Sequence, residues 1–61
     1  MVIAFDRKNK VEDTILFEEG ARYLVQKRRN LQAIREFEVD RSEDDEAAYD
    51  KAEQVFDNWR K

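Results

Sequence analysis

The chain has no proline and a single glycine, Gly20, in 61 residues. Glycine supplies positive φ and proline fixes or ends segments, so these two residues mark most turns in folded chains. A sequence that nearly lacks both reads as a few long elements. Folds made of many short strands need frequent turns and are disfavoured on this ground, while long helices are favoured.

The usual staples are missing too. There is no cysteine and no histidine, which removes disulfides and the common zinc, haem and iron–sulfur ligand sets. A domain this short seldom buries enough apolar surface to stand on its core alone, and needs a staple, very good packing or a partner chain. The remaining routes are helix packing and self-association.

Two helices are expected. From Ser42 onward Ala48, Tyr49, Ala52, Val55, Phe56 and Trp59 fall within an arc of about 120° on a helical projection. Ser42 followed by Asp45 approximates a capping box. Glu43 to Glu46 and Arg60-Lys61 carry the charges that a helix dipole favours at its two ends. The spacing predicts a helix over about 43–60. In the middle segment Leu16, Phe17, Tyr23, Leu24, Leu31, Ile34 and Phe37 share an arc of about 160°, which predicts a second helix over about 12–39. Asn9 followed by Glu12 is its cap. Gly20, Val11 and Ile15 fit that helix poorly. The rival reading is a β-hairpin of Val2–Asp6 and Thr14–Glu18, broken at Gly20 and followed by two helices.

The expected fold is therefore a single all-α domain over 1–61. It is an antiparallel two-helix hairpin with a short extended N-terminal arm, completed by dimerisation as a four-helix bundle. Leu24, Leu31, Ile34, Phe37, Tyr49, Val55, Phe56 and Trp59 are the expected partner interface, because stripes that one hairpin leaves wet are covered by a second chain. A non-enzymatic interaction protein that self-associates or docks on a protein partner is the leading functional expectation.

Catalysis finds little support. Ser42 and Thr14 are the only hydroxyl nucleophiles of their type, with no Cys or His to act with them. The run Asp40-Arg41-Ser42-Glu43-Asp44 starts like an EF-hand loop, but Asp45 stands where glycine is needed and Lys51 where a bidentate glutamate is needed. No metal, cofactor or small-molecule ligand is implied.

Charge supplies the alternatives. Residues 1–35 hold 8 Lys+Arg against 5 Asp+Glu, and residues 36–61 hold 4 against 10. Lys27, Arg28 and Arg29 are consecutive, and a basic helix carrying them could track a phosphate backbone as a nucleic-acid-binding regulator. The acidic half, with Asp40, Glu43, Asp44, Asp45, Glu46, Asp50, Glu53 and Asp57, could instead act as an inhibitor that mimics DNA. The compact, highly charged chain has the style of a phage or mobile-element protein. No apolar run approaches the ~18 residues of a membrane span, and no secretory signal is visible, so a cytoplasmic location is expected.

Overall fold

The computed structural model describes all 61 residues and corrects the fold class. The chain forms four strands and one helix: β1 Val2–Arg7, β2 Glu12–Glu19, β3 Arg22–Arg29, β4 Gln32–Asp40 and α1 Asp45–Trp59. The strands make one antiparallel sheet in the order β1-β2-β3-β4. The helix crosses β2, β3 and β4 on one face.

The long helix expected over 12–39 does not exist, and with it the helical hairpin and the four-helix bundle fall. That segment contains three strands of a meander. β4 reads Glu36-Phe37-Glu38-Val39-Asp40, strict alternation with a period of two. β2 and β3 hide the same period because both of their faces carry apolar residues. Leu16, Tyr23 and Val25 point toward the helix, while Ile15, Phe17 and Leu24 point away. A run that is apolar on both faces fits a wide helical arc about as well as it fits a strand. The β-hairpin of the rival reading is present as β1 and β2, but Gly20 leads into another strand, and only one helix follows.

Turns form without the expected residues. Gly20 and Ala21 join β2 to β3, with Glu19 opposite Arg22. Gly20 has φ +59 and Ala21 does not share a positive φ, the pattern of the II′ hairpin that places glycine first. Asn30 and Leu31 join β3 to β4 with φ of 53 and 68. Positive φ at both central residues marks a I′ turn, where the favoured pair is Asn-Gly. Between β1 and β2, Asn9 makes the turn with its side chain: Oδ1 accepts from the backbone N–H groups of Val11 and Glu12, each at 2.9 Å.

The helix appears close to where the sequence placed it. Its cap is Asp44 rather than Ser42: the Asp44 carboxylate accepts from Ala47 N–H at 3.1 Å. Ser42 instead donates from its hydroxyl and its backbone N–H to Asp40 Oδ1, at 2.6 and 2.7 Å. That bond fixes the bend between β4 and α1. The helix lays Ala48, Ala52 and Phe56 on the sheet at four-residue spacing. They meet Leu16, Tyr23 and Val25 in one core, with Phe37, Val39, Tyr49, Val55 and Trp59 packed around it. The cross-strand row Ala4–Leu16–Val25–Phe37 is the floor of that core. The stripe expected to need a second chain is covered by this chain's own sheet.

Two substitutions probe this account. Leu16 is 1% exposed, and Leu16→Ala should cost about 2–5 kcal/mol, enough to abolish the cooperative transition in urea unfolding followed by circular dichroism. Leu31→Gly should raise stability by about 1 kcal/mol, because glycine removes the steric cost of a left-handed leucine.

Candidate nucleic-acid interface

Antiparallel order and helix direction together sort the charges. β1 ends, β2 begins, β3 ends and β4 begins at the same end of the sheet. The helix also ends there, since Lys8 Nζ donates to the backbone carbonyl of Lys61 at 3.3 Å. This end gathers nine of the 12 cationic side chains: Arg7, Lys8, Lys10, Lys27, Arg28, Arg29, Arg35, Arg60 and Lys61. Four carboxylates accompany them: Asp6, Glu12, Asp13 and Asp57. The opposite end holds Glu18, Glu19, Glu38, Asp40 and the run Glu43 to Glu46, against only Arg22 and Arg41. The molecule is 37 Å long and electrically polar.

The two ends differ in how their cations are used. At the acidic end both are consumed. Arg22 bridges Glu19 and Glu38 at 3.2 and 2.9 Å. Arg41 pairs with Glu18, reaches Asp45 at 3.0 Å and stacks on Tyr23 at 4.8 Å. The Tyr23 hydroxyl donates to Asp45 at 2.6 Å. This network ties β2, β3 and the start of α1 together. At the basic end only three of the nine are held by a carboxylate or an aromatic ring, and Lys8 meets only a backbone carbonyl. Arg28 pairs with the buried Asp13 at 2.6 Å, Arg60 with Asp57 at 3.1 Å, and Arg35 stacks on Trp59 at 4.5 Å. Arg7, Lys8, Lys10, Lys27, Arg29 and Lys61 form no ion pair. All but the half-buried Lys27 are exposed. Grouping like charges without partners costs stability and gains nothing inside the fold.

The tips of the two hairpins meet at this end, where Asn30 N–H donates to the carbonyl of Val11 at 2.7 Å. They enclose an open cleft of about 320 Å³ lined by Arg7, Asn9, Lys10, Val11, Glu12, Asp13, Asn30 and Leu31. Leu31 is 74% exposed and stands at the tip among the cations. Glu12 is held below the ordinary carboxylate range, first by the hydrogen bond from the Asn9 side chain and then by the nearby cations. It stays ionised, and it limits the positive field without cancelling it. No group of three or more His, Cys, Asp or Glu side chains is placed to hold a metal ion.

The residues singled out from sequence scatter over several places. Lys27, Arg28 and Arg29 lie on β3, not on a helix. Strand alternation sends Lys27 to the helix side and Arg28 to the opposite face, where Asp13 holds it. Phe37, Tyr49, Val55, Phe56 and Trp59 pack within the core or at its margin. Leu24 is buried on the face away from the helix. Leu31 lies at the β3–β4 tip and Ile34 at the β4 irregularity, both exposed. Arg7, Lys8 and Lys10 were not recognised from sequence. The signal was three cations within four residues around the turn-forming Asn9.

Comparison with protein-family models, with curated proteins and with solved structures finds no match. No helix is long and apolar enough to cross a membrane.

The hydrogen-bonded ionisable groups set a pH profile. Asp40 is lowered by the Ser42 hydroxyl and N–H, and Glu12 by Asn9. Stability from a lowered carboxyl is present above its unfolded value and is lost as pH falls through its folded value. Tyr23 is raised, first by its bond to Asp45 and then by burial. Its contribution is present below the ordinary phenol value of 10.0 and is lost as pH rises through the folded value. Melting temperature against pH should show a plateau that falls on the acid side below the ordinary carboxyl values of 4.5 and 3.8, and on the alkaline side above 10.0. Tyr23→Phe should remove its share of the alkaline fall and leave the acid side unchanged.

Proposed function

We propose that the chain is a non-enzymatic binding protein whose basic end takes a polyanionic ligand of the nucleic-acid backbone class. The observation that carries this reading is the set of six cations without carboxylate partners at one end of the sheet, while every cation at the other end is paired. Lys8, Lys10 and Arg29 lie on or beside two adjacent hairpin tips. Lys61 comes from the end of the helix. Arg7 and Lys27 flank the tips from the two faces of the sheet. A cap of this size, on a molecule 19 by 16 Å in cross-section, is wide enough to meet several consecutive phosphates, which repeat every ~3.4 Å along a strand.

The net charge of -3 does not oppose this reading, because the acidic end lies far from the cap compared with the ~8 Å screening length in physiological salt. Asp40, Asp44, Asp45 and Asp57 have internal work in caps, turns and ion pairs, so the DNA-mimic reading rests on Glu43, Glu46, Asp50 and Glu53 alone, a smaller set strung along the helix. The binding is electrostatic and carries little sequence discrimination, since no side-chain pattern for reading base edges is present at the cap.

Titration of a labelled duplex and a labelled single strand should show binding at low salt that weakens steeply as salt rises. With about six phosphate contacts, affinity should fall on the order of a thousandfold between about 50 and 200 mM salt. The triple change Lys8→Gln, Lys10→Gln, Arg29→Gln should reduce the slope of log affinity against log salt by about 3. Arg22→Gln, at the acidic end, should leave the slope as it is. Absence of binding at low salt, or equal binding by the triple variant, would discard the proposal.

A further inference from the structure

The sheet has a second face, and nothing in the chain covers it. The helix covers one side only. On the other side Val2, Phe5, Ile15, Phe17 and Leu24 lie next to one another in two cross-strand rows. Val2 and Phe5 are 57% and 46% exposed. Leu24 is 9% exposed although it belongs to no part of the helix-side core, so its cover comes from these neighbours. A one-sided antiparallel sheet normally alternates apolar-in with polar-out. Here both sides of β1, β2 and the start of β3 are apolar.

The geometry points to a second copy of this chain as the occupant, packed face to face so that the strands of the two copies run in opposite directions. The first argument is where the apolar rows lie. They occupy the β1–β3 part of the face and end at Glu36 and Glu38 on β4. A twofold axis in the plane of the contact and across the strands lays β1 on β1 and β2 on β2, so apolar side chains meet apolar ones. The second argument is charge. That axis brings the basic end of each copy beside the acidic end of the other. A twofold along the strands would set basic end by basic end. The third argument is area. Three apolar strands about 4.8 Å apart and eight residues rising about 3.3 Å each give a face of roughly 380 Å². Two such faces bury about 760 Å², below the ~1,000 Å² of a stable specific interface, which implies a weak, reversible dimer. A nucleic acid fits this face poorly, because Glu19, Glu36 and Glu38 stand along its rim. The dimer takes up only Arg7 of the proposed polyanion set, which lies on this face, and leaves the hairpin tips and the helix-side cations free, so the two proposals fail separately.

The test is sedimentation equilibrium over a range of concentrations, with circular dichroism to confirm folding. The intact chain should pass reversibly from 7.4 kDa to twice that mass. Val2→Glu with Phe5→Glu should remain monomeric while keeping the helical signal. A wild-type chain that stays monomeric throughout, or a double variant that dimerises undiminished, overturns the proposal. A monomer whose double variant instead loses duplex DNA binding would assign the face to nucleic acid and overturn it equally. The chain has no cysteine, so single introduced thiols report orientation whatever the double variant does. In an equal mixture of Arg7→Cys and Glu19→Cys chains under mild oxidation, the mixed disulfide should exceed both like-with-like species. A majority of Arg7→Cys or Glu19→Cys homodimers would overturn the antiparallel arrangement.

Discussion

The contact of Ala48 and Ala52 with the Leu16–Val25 row holds this fold together. Two alanines one helical turn apart present almost no side chain, so the helix backbone settles close to the sheet. Ala52, Val25 and Leu16 are then sealed to 1% exposure or less. Phe56 closes one end of this strip, and the edge-on pair of Tyr23 and Tyr49, with ring centroids 5.5 Å apart, closes the other. Only nine residues are buried in the whole chain, so no second core exists to compensate if this one opens. The helix also decides which side of the sheet is inside, and thereby which apolar residues are left facing out.

Electrostatics follows from the same placement. The reversal at Asp40–Asp44 sends the helix back along the sheet, so its N-terminus lies at the end already rich in carboxylates. Those carboxylates serve there as cap, as dipole partners and as acceptors for Arg22, Arg41 and Tyr23. The price is collected at the other end, where two hairpin tips and the helix C-terminus concentrate cations that find few partners. An external polyanion would relieve that repulsion at one end, and a second copy laid antiparallel would bring opposite charges closer over the length of the molecule.

Part of this was legible from residue order. Apolar spacing and the acidic first turn located α1, although its cap is Asp44 rather than Ser42, because an amphipathic helix on a protein surface has one wet side and one dry side. The strands were harder for a physical reason. Ile15-Leu16-Phe17 and Tyr23-Leu24-Val25 are apolar at every position, so neither period stands out. The scarcity of glycine and proline misled as well. Asn9 supplied a turn through its side chain, and Asn30-Leu31 supplied another by accepting left-handed backbone at a leucine. The alternation in Glu36 to Asp40 was visible, but it is short and fits the margin of a helical stripe.

The candidate site was less legible still. The basic run Lys27-Arg28-Arg29 suggested one patch, yet a strand sends neighbours to opposite faces, and Asp13 takes the middle one. The cap forms instead from segments far apart in the chain, Arg7–Lys10, Lys27–Arg29 and Lys61. By itself, the sequence determined the C-terminal helix, the imbalance of charge between the two halves, and the absence of thiol and imidazole chemistry. These depend on local spacing and on which residues are present. Tertiary structure alone decided that the middle of the chain is a sheet, that one helix covers only one of its faces, and that nine cations share an end. Those outcomes depend on strand register and helix direction, which local preference leaves open and long-range packing resolves.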